Sequence, residues 1–102
     1  MNQEDIKELV NALKNEDLYT FEQKCKDFFY SHSYEFSSID QNNRDFIINF
    51  LKNHRNDVVS YGGIPGYELD NELYKIHGEL SKHGLSELDY NNLKKIANYF
   101  RC

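Results

Sequence analysis

Three observations predict an all-α fold, a compact single-domain bundle of about five helices. Apolar residues recur at i, i+3, i+4 and i+7 in successive segments, the spacing that lines one side of a helix. The segments are separated by recognisable caps and turns. A chain of 102 residues without an internal repeat, a low-complexity tract or a linker is long enough for one core, so residues 1–102 are expected to form one helical domain.

The first helix is expected over residues 3–14, where Ile6, Leu9, Val10 and Leu13 form the stripe. A second follows a short turn, with Leu18, Phe21, Cys25, Phe28, Phe29 and His32 in register. Glu16 and Asp17 stand near the positive end of its dipole, and the first two helices should form an antiparallel hairpin. The serine-rich segment "SHSYEFSSID" breaks the period and reads as a loop over 33–39. Ser38 or Asp40 then caps a third helix carrying Ile47, Phe50, Leu51 and His54 on one face, with Asn43 in register and Phe46 alongside. That helix should fade near Asn56, and Val58 and Val59 either extend it or make a short extended segment.

"SYGGIPGYELDNEL" holds three of the five glycines and the only proline, so residues 60–67 read as the break before the fourth helix. Leu69, Leu73, Ile76 and Leu80 form the stripe of that helix, and Gly78 within it suggests close approach of another helix. Its end is signalled by Lys82, His83, Gly84 at a left-handed C′ position and Leu85. Ser86 and Asp89 suit a capping box for the fifth helix, with Leu85 placed to staple onto Tyr90 and with Leu93, Ile96, Ala97 and Phe100 buried.

Composition narrows the function. The formal net charge is −5, and the excess lies in the first half: residues 1–50 hold five Lys/Arg against ten Asp/Glu. Such a balance disfavours direct binding to nucleic acid and modestly favours a basic partner. The two cysteines, Cys25 and Cys102, are too few for a stapled secreted domain, and the acidic N-terminus lacks a secretory pattern. With no run of about 18 apolar residues, the expectation is a reduced, cytoplasmic protein that does not span a membrane.

No catalytic, cofactor-binding or metal-binding residue is assigned. His32, His54, His77 and His83 form neither HExxH nor an HxxxH pair, and His32 and His54 read as half-buried histidines near helix ends. Cys25 sits mid-stripe among Phe21, Phe28 and Phe29 as a core thiol, and Cys102 reads as a free one. "YGGIPG" lacks the patterns that grip phosphate, and Glu68, Asp70 and Glu72 behind it would repel one. Glu68 and Glu72 share a helix face at i, i+4, which in general marks a solvated surface more often than an acid–base pair. Enzymatic activity therefore ranks below recognition.

For recognition, carboxylates steer a basic partner while tyrosine rings supply contact area at small entropic cost. The candidate contact residues are Tyr61, Tyr67, Glu68, Asp70, Glu72 and Tyr74 around the second loop, with Tyr34, Glu35, Phe36 and Asp40 around the first. Phe36 and Tyr74 are also candidates for the core.

The helix-ending pattern Leu69…Leu73…Ile76…Leu80…Gly84-Leu85 in "LDNELYKIHGELSKHGL", taken with size, acidity and bundle architecture, resembles small acidic immunity proteins of bacterial toxin–immunity systems. The resemblance covers about a sixth of the chain and is shared with other amphipathic helices that end in a Schellman motif. It implies a basic toxin domain as partner, often a cationic nuclease, blocked by occlusion, and carries over no individual residue. The alternative is a phage-type or regulatory adaptor, acting as a nucleic-acid mimic or docking on a host protein. The chain is expected to be a monomer or a weak homo-oligomer.

Overall fold

A computed structural model describes residues 3–36 and 41–102, which contain seven helices and no strand. In chain order these are α1 (Gln3–Asn15), α2 (Leu18–Ser31), α3 (Gln41–Asn53), α4 (Arg55–Tyr61), α5 (Gly66–His77), α6 (Leu80–His83) and α7 (Glu87–Asn98). The expected all-α bundle is therefore present, with two of the five expected helices each divided in two.

The α1–α2 hairpin forms as the sequence predicts. Asp17 caps α2: its Oδ1 accepts from the Thr20 backbone N–H at 2.7 Å and its Oδ2 from the Thr20 hydroxyl at 3.0 Å. Those bonds, the backbone one foremost, hold the Asp17 carboxyl below its usual range. At the other end the His32 Nδ1 lies 2.9 Å from the Phe28 carbonyl and its ring stacks on Phe28, while Nε2 faces Asp5 at 3.2 Å. This is the half-buried histidine expected at a helix C-terminus, where the last carbonyls lack helical partners.

His54 interrupts the third predicted helix. Its N–H turns back to the Leu51 carbonyl at 3.0 Å, a tighter i to i−3 bond, and the chain resumes as α4 with Val58 N–H donating to the His54 carbonyl. Val58 and Val59 are thus helical, and no extended segment forms there. The fourth predicted helix breaks at Gly78, whose N–H bonds the Tyr74 carbonyl while Glu79 N–H bonds that of Ile76. A Cβ at Gly78 would meet only carbonyls of Lys75 and Tyr74 at 3.6 and 3.8 Å, so the glycine marks a helix end and no neighbouring helix crowds it. Both interruptions are single tight turns that barely rotate the apolar stripe, which is why Leu69 to Leu80 read as one helix.

The expected termini around α6 and α7 are present. Leu85 N–H donates to the Leu80 carbonyl and Gly84 N–H to that of Ser81, with Gly84 at φ 69°, the bond pattern of a Schellman end. Ser86 and Asp89 exchange side-chain-to-backbone bonds of 2.8 and 3.1 Å in a capping box.

One core joins the helices: Phe21, Leu13, Ile47, Leu51, Val58, Ile64, Leu69, Leu93, Ile96 and Phe100 are all among its fully buried side chains. Burying apolar area of this kind is the main favourable contribution to folding, roughly 25 cal/mol per Å². Within it α1 packs on α2 and α4, α2 on α3, and α7 on α3 and α5. Cys25 is 1% exposed, and burial pushes its thiol far above the ordinary range.

Ile64 is the loop residue that periodicity did not flag. Its N–H donates to the Phe100 carbonyl at 2.6 Å and its carbonyl accepts from Cys102 N–H at 3.0 Å, a short parallel bridge to the segment after α7. The glycine-rich stretch is a connector, and it is also pinned to the bundle by a buried isoleucine. None of the described helices is long and apolar enough to cross a membrane.

Candidate functional site at the junction of α4 and α5

Gly62 ends α4 in the left-handed conformation, φ 80°, with its N–H on the Val58 carbonyl at 2.9 Å. Three residues later Pro65 opens α5, its fixed φ suiting the entry, and its carbonyl accepts from Leu69 N–H. This short connection lays the first two turns of α5 beside His54 and the first turn of α4. Glu68 and Glu72, one turn apart on α5, come to the same side as Asp57 of α4.

Three carboxylates converge on one buried imidazole. His54 is 5% exposed; its Nδ1 lies 3.0 Å from Asp57 Oδ2 and 3.8 Å from Glu68 Oε1, and its Nε2 pairs with Glu72 Oε2. The Phe50 ring, 4.9 Å from that of His54, closes the apolar side. Burial first, then a hydrogen bond to Asp57 and its negative charge, push the Glu68 carboxyl above its usual range, opposed by His54. An open groove lined by Asp57, Tyr61, Pro65, Tyr67, Glu68 and Cys102 lies alongside.

The predicted contact residues divide sharply in this setting. Tyr61, Tyr67 and Tyr74 are 65%, 77% and 83% exposed, so Tyr74 is a surface residue and no part of the core. Tyr67 and Tyr74, two turns apart, share the outer side of α5. Glu68 and Glu72 are half-buried and turned towards His54. Asp70, on another flank, meets Arg101 through bonds of 2.6 and 3.4 Å. The Arg101 side chain, which also bonds Asn98, holds the Asp70 carboxyl below its usual range.

In the first loop Tyr34 is fully in solvent, whereas Phe36 is 3% exposed and packs against Phe28 and Phe29 at ring distances of 5.8 and 5.4 Å. Of the two readings for Phe36, contact or core, the structure places its ring in the core. Glu35 is half-buried, and its carbonyl accepts from Lys95, whose Nζ also stands 5.2 Å over the Phe36 ring. Asp40 lies outside the described residues. Both loops are tied to α7 or its following segment, the first at Lys95 and the second at Phe100 and Cys102.

Sequence reasoning missed the partnership of His54 and Asp57 with the two glutamates. A local signal existed, because His54 and Asp57 stand three residues apart and Glu68 and Glu72 four apart, each pair beside an apolar stripe. What linked the pairs was the turn at 62–65. No family model, curated protein or solved structure matches this chain, so function rests on the geometry alone.

Proposed function

We propose that this chain is a binding protein of the immunity or inhibitor type, which engages a basic protein domain through the face built by the 60–67 loop and α5. The observation that carries the reading is the exposure of Tyr61, Tyr67 and Tyr74, the first two lining one open groove with Glu68 and the third two turns beyond Tyr67 on α5. A tyrosine ring offers a large, rigid contact surface with a polar tip, and it leaves few rotamers to freeze on binding. The net charge of −5 adds long-range attraction for a cationic partner. The proposal assigns no catalytic step to the chain, and it places the protein in the cytoplasm with a toxin domain, such as a cationic nuclease, as its target. Reading the chain as a nucleic-acid mimic has less support: Asp70 already engages Arg101, and Glu72 engages His54, so these acids form no outward row.

The test uses the purified product of the adjacent reading frame in calorimetric titrations. Wild-type chain should bind it, with affinity falling as salt rises. Tyr67→Ala with Tyr74→Ala, folded as judged by circular dichroism, should bind at least tenfold more weakly, roughly the loss of one contact hot spot. Absence of binding by the wild-type chain would overturn the immunity reading. Undiminished affinity of the folded double variant would overturn the choice of surface. Asp70→Lys is unsuitable for this purpose because it sets a lysine against Arg101.

A further inference from the structure

Carboxylate oxygens crowd both ring nitrogens of His54. Asp57 Oδ2 lies 3.0 Å and Glu68 Oε1 3.8 Å from Nδ1, while Glu72 Oε2 touches Nε2 and is itself buried without a hydrogen-bond partner. One nitrogen and two carboxylate oxygens thus converge on one point at the mouth of the groove, and their geometry says which cation fits.

We infer that His54 Nδ1, Asp57 and Glu68 form a binding site for a divalent transition-metal ion of the zinc class, with Glu72 as the positioning carboxylate beside Nε2. The three side chains place one ligand atom each within 4.8 Å of one another. A tetrahedral zinc ion with arms of about 2.1 Å spaces its ligand atoms about 3.4 Å apart. The separations from Nδ1, 3.0 Å to Asp57 and 3.8 Å to Glu68, bracket that value. A carboxylate beside the far nitrogen of a ligating histidine orients the ring, and Glu72 Oε2 is in contact with Nε2. Imidazole with carboxylates suits zinc better than calcium or magnesium, which prefer all-oxygen shells. Asp57 and Glu68 also line the open groove, so a fourth position faces solvent.

The competing occupant is a single proton in place of the metal ion. The inference does not rest on the proposed partner, since the site is complete within this chain, and its test needs no partner. Chelator-treated, reduced protein at pH 7.5 is titrated with zinc chloride by calorimetry. One equivalent should bind with micromolar or tighter affinity, Asp57→Asn with Glu68→Gln should weaken it at least 100-fold, and Glu72→Gln about 10–100-fold. Cys102→Ser and His32→Ala/His77→Ala/His83→Ala should keep the stoichiometric site. Long-range imidazole ¹⁵N spectra of the wild-type protein should show zinc on Nδ1 of His54, a readout that stands even if the double variant fails to fold. No saturable uptake, meaning a proton only, would overturn the inference. So would unchanged affinity in the folded double variant, loss of binding in Cys102→Ser, or zinc seated on another histidine.

Discussion

Replacing Gly63 by alanine tests the pinning of the 60–67 loop. An added Cβ would stand 2.5 Å from the Phe100 carbonyl oxygen, 2.8 Å from Cys102 Cβ and 3.3 Å from Cys102 N. The first of these is backbone held by the bonds that close the bridge, so it cannot swing aside as a side chain can. Relief must come from separating Ile64 from residues 100–102, which weakens the bonds of 2.6 and 3.0 Å there. Two such bonds contribute roughly 0.5–1.5 kcal/mol each. Forced displacement of the buried Ile64 and Phe100 adds on the order of 1–3 kcal/mol. Allowing for partial relaxation, Gly63→Ala should destabilise by about 2–4 kcal/mol. With an unfolding entropy of about 2.1 cal/mol/K per residue, each kcal/mol shifts the melting midpoint by about 5 °C, so Tm should fall about 10–20 °C. Gly66→Ala is the internal control: its Cβ would meet only the Arg101 guanidinium at 2.9 Å, the far end of a flexible chain, and should cost little. The assay is thermal unfolding by circular dichroism for both variants. A Tm for Gly63→Ala within about 2 °C of wild type would refute the reasoning, because the loop would then not be held against Phe100 and Cys102.

Phe36→Ala should destabilise by about 3–5 kcal/mol, while Tyr34→Ala, two residues away, should stay within about 0.5 kcal/mol, as urea titrations would show. Asp70→Asn tests the Arg101 pair through pH. Because the folded carboxyl titrates below its ordinary value, its stabilisation is present above the unfolded pKa near 4 and is lost as pH falls through the folded value. Wild type should thus exceed Asp70→Asn in stability at pH 6 and lose that advantage as the folded carboxyl is protonated in acid, and an advantage that is unchanged once the carboxyl is protonated would count against the pair. A thiol-reactive dye should modify Cys102 in the native protein and Cys25 only on unfolding; rapid native labelling of both would contradict the burial of Cys25.

Most of the helical framework was legible because it is written in local periods and caps. The stripes of α1, α2 and α7, the acidic start of α2, the Ser86 cap and the Gly84 end each depend on residues within a turn or two of one another. The breaks at His54 and Gly78 were not legible, since a single tight turn leaves the apolar repeat nearly in phase. Tyr61 and Tyr67 read as surface tyrosines, whereas Tyr74 and Phe36 read equally as contact or core, since nothing local to either says whether a neighbouring helix encloses it; Tyr74 is exposed and Phe36 lies among aromatic rings of α2.

The sequence by itself thus determined an all-α class, a negative overall charge and where the chain must turn, because those follow from neighbouring residues and composition. Only the tertiary structure decided which charges meet: Asp70 with Arg101, 31 residues away, and His54 with Asp57, Glu68 and Glu72. The physical reason is that a residue type states what a side chain can do, while the angle at which α5 leaves the Gly62–Pro65 turn decides what it faces. For Glu68 and Glu72, the same i, i+4 pair that would be a solvated edge on an isolated helix becomes, beside a buried imidazole, the centre of the candidate site.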